Sequence, residues 1–139
     1  MTTTLNPYLA FDGRAREAIE FYRRILGGDP ELSTYGDYGM GDADEADKIM
    51  HAQLTTPAGL VLMVSDTPSG TPLTVGDSIS ISLSGDDLDE LTGYWTGLSE
   101  GGTEIEPFVA APWGDTFGIC RDRFGVTWMV NATEKGGAD

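Results

Sequence analysis

Gly59-Leu-Val-Leu-Met-Val-Ser65 and Gly125-Val-Thr-Trp-Met-Val-Asn131 read as one strand written twice, each opening on a turn glycine and each carrying a methionine at the same place. Alternation along a strand puts Leu60, Leu62 and Val64 on one face of the first copy and Val61 and Met63 on the other. In the second copy Val126, Trp128 and Val130 separate from Thr127, Met129 and Asn131 in the same way. The strictly apolar sets are expected to cover a helix, and the mixed sets to face away from it. A self-similar chain is a tandem repeat, and this decides the fold.

The match extends backward from these strands. His51 falls opposite Phe117 in the alignment, Gln53 opposite Ile119 and Thr55 opposite Arg121, on strands that precede tight turns at residues 57–59 and 123–125. Near the start of the chain, Leu5, Leu9 and Phe11 alternate with Asn6, Tyr8 and Ala10. A helix follows, with Asp12 expected to cap it, Ala15, Ala18, Ile19, Tyr22, Ile25 and Leu26 at helical spacing, and Gly27-Gly28 as its stop. The second half repeats the plan. Ile79, Ile81 and Leu83 alternate with Ser78, Ser80, Ser82 and Ser84, then Asp87 is expected to cap a helix striped with Leu88, Leu91, Trp95 and Leu98 that ends at Gly101-Gly102.

The fold class predicted is therefore α+β: two tandem βαβββ modules forming cupped mixed sheets with helices outside. One domain spans residues 1–139, with module one at 1–67, a linker at 68–77, module two at 78–132 and a flexible tail at 133–139. The glycine-rich polar stretch 35–47 reads as a mobile surface excursion. A face mixing polar, apolar and aromatic side chains has the composition of a small-molecule site, expected between the two modules.

Composition narrows the function classes. The 139 residues suit one domain with its own core, and 40% hydrophobic content is far from that of a disordered chain. A net charge of −15, from 23 acidic and 8 basic residues, repels phosphate backbones and anionic membrane surfaces, so neither nucleic acid nor membrane is an expected partner. The single Cys120 allows no internal disulfide and no multi-cysteine zinc site, which suggests a reducing compartment. Residues 1–7 lack the pattern of a signal peptide, and no run reaches the ~18 apolar residues of a membrane helix. A cytoplasmic location is the expectation.

Tyr8-Leu-Ala-Phe-Asp-Gly, Glu17-Ala-Ile-Glu-Phe-Tyr, Met63-Val-Ser-Asp, Trp113-Gly-Asp and Asp122-Arg-Phe-Gly-Val-Thr-Trp together resemble the PhnB-like branch of the vicinal oxygen chelate superfamily. That superfamily includes glyoxalase I, extradiol dioxygenases, and fosfomycin and bleomycin resistance proteins. The resemblance covers nearly the whole chain and implies paired βαβββ modules enclosing a cleft, commonly in a homodimer. Its metal-using members place His or Glu ligands on the first and fourth strands of each module. The corresponding residues here are Asn6, Met63, Ser78 and Met129, and none is a normal oxygen or nitrogen ligand for a divalent ion. Their neighbours Pro7, Leu62, Ile79 and Trp128 would serve no better, so no cofactor is predicted, with a divalent metal left as the alternative. Some proteins of the branch carry a demethylubiquinone methyltransferase label, but this chain has no glycine-rich strand-to-helix turn for a nucleotide-like cofactor.

The residues themselves leave two functions open, beside a third, a purely structural or protein-binding module whose cleft would be filled by side chains. The first is a small-molecule binding protein whose cleft is lined by Tyr8, His51, Met63, Ser80, Trp113, Phe117 and Met129. The second is a metal-dependent or histidine-based enzyme of lyase, isomerase or dioxygenase type acting on a small oxygenated metabolite, with His51 as base or sole protein metal ligand and Arg121 as anion clamp. The plainer readings are a His51 hydrogen-bonded within its sheet and an Arg121 paired with Asp122. Ser65 and Asp66 suggest no triad, since no activated-serine turn surrounds them. Cys120 reads as a buried small hydrophobe, and Phe108 as either a ligand-stacking or a core residue. Glu104 and Glu106 read as two same-face acids on an edge strand that block aggregation.

Overall fold

The computed structural model describes residues 3–40, 45–68 and 70–133. It divides into two compact units, Met1–Thr74 and Val75–Asp139. The first unit runs β1 (Tyr8–Phe11), α1 (Ala15–Leu26), β2 (Asp29–Thr34), β3 (Ile49–Thr55) and β4 (Val61–Asp66). The second runs β5 (Ile81–Gly85), α2 (Leu88–Ser99), β6 (Thr103–Ala110), β7 (Thr116–Arg121) and β8 (Thr127–Ala132). The sheets have orders β1-β4-β3-β2 and β5-β8-β7-β6, each with one parallel pair (β1 with β4, β5 with β8) and otherwise antiparallel pairs. Two βαβββ modules are thus present in the order expected.

Each helix covers one face of its own sheet. Ala15, Ala18, Ile19, Phe21, Tyr22 and Leu26 are buried on α1, and Leu62, Val64, Ala52 and Leu54 are buried on the strands beneath it. On α2 the buried residues are Leu91, Trp95 and Leu98, over Trp128, Val130 and Cys120. The alternation of the opening motif holds in the body of each strand, where Leu62, Val64, Trp128 and Val130 are buried and Val61, Met63, Ser65, Met129 and Asn131 half-buried, but Leu60 and Val126 are only half-buried and Thr127, expected on the other face, is buried. The pattern frays at the strand starts. Leu5 is 99% and Ile79 82% exposed, because β1 and β5 begin later than the alternation suggested.

The glycine pairs end the helices for a shared reason. A Cβ on Gly28 would overlap the carbonyl oxygen of Thr55, and a Cβ on Gly102 would overlap that of Arg121, the residue aligned with Thr55. In each unit the chain leaves its helix so close to the end of the third strand that only hydrogen fits. The turns into the fourth strand match as well. Thr56 N–H donates to Leu60 O and its hydroxyl accepts from Leu60 N–H at 3.1 Å, while Asp122 N–H donates to Val126 O and its carboxylate accepts from Val126 N–H at 3.1 Å.

The helix starts differ. Asp87 caps α2 by accepting from Glu90 N–H at 3.1 Å, as expected. Asp12 makes no such cap on α1. That helix has no side-chain cap from its flanking residue, and Ala15 N–H donates instead to the carboxylate of Asp66, 2.9 Å away at the end of β4. The other Asp66 oxygen accepts from Ile49 N–H at 2.9 Å, so one buried carboxylate ties α1, β3 and β4 together. Capping needs an acceptor near the first-turn amides, and the fold brings that acceptor from 51 positions away in sequence.

A second difference lies on the edge strand β6. Glu104 pairs with Cys120 and Glu106 with Ile119, so a bulge at Ile105 sends the two acids to opposite faces rather than one. A further irregularity before Val109 frees Phe108 to stack on Trp95 of α2, with ring centroids 5.4 Å apart. Phe108 thus packs on the helix-covered side, half-buried. Residues 35–47 contain a short 3-10 turn (Gly36–Tyr38) held by Tyr35 N–H to Lys48 O and Gly36 N–H to Ala46 O, and residues 41–44 lie outside those described. Of the expected tail, Thr133 bonds to Gly85 O and residues 134–139 lie outside those described.

Candidate functional site

The face of each sheet opposite its helix carries the candidate residues. In the first unit the strand register sets Tyr8, Met63, Gln53 and Glu31 in one row across the four strands. His51 and Ser33 fall in the next row, on the same side of the sheet. Tyr8 reaches over β4 to this second row, where its hydroxyl and the His51 Nδ1 are hydrogen-bonded at 2.9 Å with the rings tilted at 51°. The lone histidine, open in sequence between a base and a sheet-bound residue, therefore has a phenol partner. Its other ring nitrogen makes no hydrogen bond among the described residues. Tyr8 stays 53% exposed, so the pair lies at a surface that solvent or a ligand can reach.

In the second unit the matching face has three rows on its central strands: Thr127 beside Arg121, Met129 beside Ile119, and Asn131 beside Phe117. Ser82 of β5 pairs with Met129, whereas Ser80 lies exposed just before the strand. Trp113 lies in the turn between β6 and β7, is 64% exposed, and meets Phe117 at 6.3 Å between ring centroids. Asn131 donates to Asp115 at 3.2 Å, a contact not anticipated although Asp115 belongs to the Trp113-Gly-Asp motif.

Arg121 does not pair with Asp122. The Asp122 carboxylate accepts from Phe124 N–H, Val126 N–H and the indole Nε1 of Trp128 at 2.8 to 3.1 Å, which holds it under the helix-covered side. Cys120 is buried on that side. Burial, helped by the negative charges of Asp122 and Glu104, pushes its thiol up to about 11.

The register also corrects the alignment of the positions where superfamily members carry metal ligands. Tyr8 faces Met63 and Ser82 faces Met129, so Asn6 corresponds to Ser80 rather than Ser78. Either way the set offers amide, hydroxyl and thioether groups with no imidazole or carboxylate.

The model of the family described as 3-demethylubiquinone-9 3-methyltransferase matches residues 3–131, and the chain belongs to that family. It is similar to protein PA1353 from Pseudomonas aeruginosa, with 38% identity and a TM-score of 0.86 over 96% of this chain and 100% of that one. The PhnB protein of Bacillus cereus matches with 22% identity and a TM-score of 0.76 over 94% and 100% of the two chains. A glyoxylase/bleomycin resistance protein/dioxygenase domain from Frankia shares 16% identity at a TM-score of 0.68, over 98% of this chain and 95% of that one. The fold is accordingly that of the glyoxalase/bleomycin resistance/dioxygenase proteins, and no helix among the described residues is long and apolar enough to cross a membrane.

Proposed function

We propose that this chain binds a small organic molecule against the uncovered faces of its sheets, without a metal, and that it works as a homodimer in the cytoplasm. The observation that carries the reading is the Tyr8–His51 pair beside Met63. A phenol and an imidazole held together on an exposed sheet face, next to a polarizable thioether, offer hydrogen bonding and apolar contact in one place. Phe117 and Met129 give the second sheet a comparable surface, flanked by Ser80 and Trp113. A methyltransferase role draws no support from the described residues, among which no glycine-rich turn joins a strand to a helix in the manner of a nucleotide-binding fold.

The test is a thermal-shift screen of small aromatic and oxygenated metabolites. Saturating ligand at about 100 Kd adds about 2.7 kcal/mol of stability, enough to raise the melting temperature visibly. His51→Ala is expected to reduce the shift of the best hits, and an undiminished shift would remove His51 from the site. Stoichiometric Zn, Ni, Mn or Fe in protein purified without added metal would overturn the metal-independent reading.

A second reading is favoured by the same hydrogen bond. With Nδ1–H donating to the Tyr8 oxygen, Tyr8 fixes the His51 ring and leaves an unprotonated Nε2 to take a proton from a bound oxygenated metabolite. If a hit is turned over, His51→Gln should abolish turnover while keeping most of the binding.

A further inference from the structure

We infer that the uncovered face of the second sheet receives an anion, with Arg121 as the group that holds it, so that the ligand class is an amphiphilic carboxylate, sulfonate or phosphate. This deepens the small-molecule reading above and rests on it. Arg121 is half-buried at the end of β7, and among the described residues its side chain makes neither an ion pair nor a hydrogen bond. In a chain with 23 acidic residues this calls for a reason. Of the nearby acids, Asp122 is held by two backbone amides and an indole, Glu104 stands across from Cys120 on the other face, and Glu106, exposed one row away on the same face, makes no ion pair with Arg121 among the described residues.

The repeat excludes a demand of the fold itself. The residue aligned with Arg121 in the first unit is Thr55, which makes the same close approach to a helix-ending glycine and the same antiparallel pairings with no positive charge. The guanidinium is thus an addition to one module. Its neighbours form a graded surface: Arg121 and Thr127 at one end, Ile119 and Met129 next, Phe117 and Asn131 at the other end. Four residues along a strand separate Arg121 from Phe117, or roughly 14 Å between Cα atoms. A ligand with an anionic head and an apolar or aromatic body matches that sequence of charge, thioether and ring. The guanidinium can donate two parallel hydrogen bonds to such a head.

The experiment uses two fluorescent probes of similar shape, anilinonaphthalene sulfonate and the uncharged phenylnaphthylamine, titrated into the full chain. Arg121→Thr installs the residue of the sister module and is compatible with folding, which circular dichroism checks, and Arg121→Lys keeps the charge without the fork. Expected is a loss of about tenfold or more in affinity for the sulfonate in Arg121→Thr, corresponding to one charge-assisted contact. The uncharged probe should change less than twofold, and Arg121→Lys should fall between. Equal losses for both probes, or an unchanged sulfonate affinity, would overturn the anion inference and leave small-molecule binding standing. Failure of both probes to bind the unaltered chain would overturn the two together.

Discussion

Asp66 and Asp122 are the most consequential single residues, and each is spent on structure. Asp66 satisfies Ala15 N–H at the start of α1 and Ile49 N–H on β3, and Tyr35 donates its hydroxyl to the Asp66 carbonyl at 2.8 Å. Asp66→Ala strands two buried donors, so it is expected to destabilise the first unit by about 2–4 kcal/mol, on the scale of lost hydrogen bonds to a charged group. Urea denaturation measures this, and a loss below about 1 kcal/mol would mean that the amides find other partners. Cys120 gives a pH prediction. Its folded-state value, raised to about 11 from an ordinary 9.0, favours the neutral thiol. The stability linked to it is complete below pH 9 and is lost as pH rises through 11. The native protein should resist thiol-reactive reagents at pH 8 and react on unfolding, while Cys120→Ala should flatten the stability loss above pH 9. Rapid labelling of native protein at pH 8 would contradict this.

At the scale of elements, the two modules solve one packing problem with different parts. Gly118 lies beneath the Trp95–Phe108 stack, and a Cβ there would come 2.8 Å from the Phe108 Cα and 2.9 Å from the Trp95 ring. Its missing side chain is what lets the bulged edge strand lay Phe108 on α2. Gly118→Ala is expected to cost roughly 1–3 kcal/mol by overpacking, read in denaturant melts together with a change in near-ultraviolet dichroism from Trp95. A stable variant with an unaltered spectrum would show that the edge strand yields. The bulges of β6 also explain why the placement of Glu104 and Glu106 on one face failed: period-two reading assumes an unbroken ladder, and one extra residue reverses every side chain beyond it.

At the scale of the whole molecule, charge dominates. With 23 acidic against 8 basic residues, self-repulsion opposes the compact state, and the three ion pairs described join neighbours three apart along the chain. Sodium chloride screens this repulsion, since the Debye length falls from ~10 Å at 0.1 M to ~3 Å at 1 M. The melting temperature is expected to rise by a few degrees over that range, followed by calorimetry. A fall would assign a net stabilising role to the ion pairs.

The tandem plan was legible from residues alone, because alternation of period two, helical spacing and double glycines are local patterns that survive in a single chain. The partition of each sheet into a helix-covered and an uncovered face followed from the same periodicity. Everything depending on which distant groups meet was decided by tertiary structure: the cap that Asp66 rather than Asp12 provides, the phenol that holds His51, and the Asp122 carboxylate turned toward an indole and away from Arg121. Hydrogen bonds act over about 3 Å, and sequence specifies such distances only once the strands have set their register.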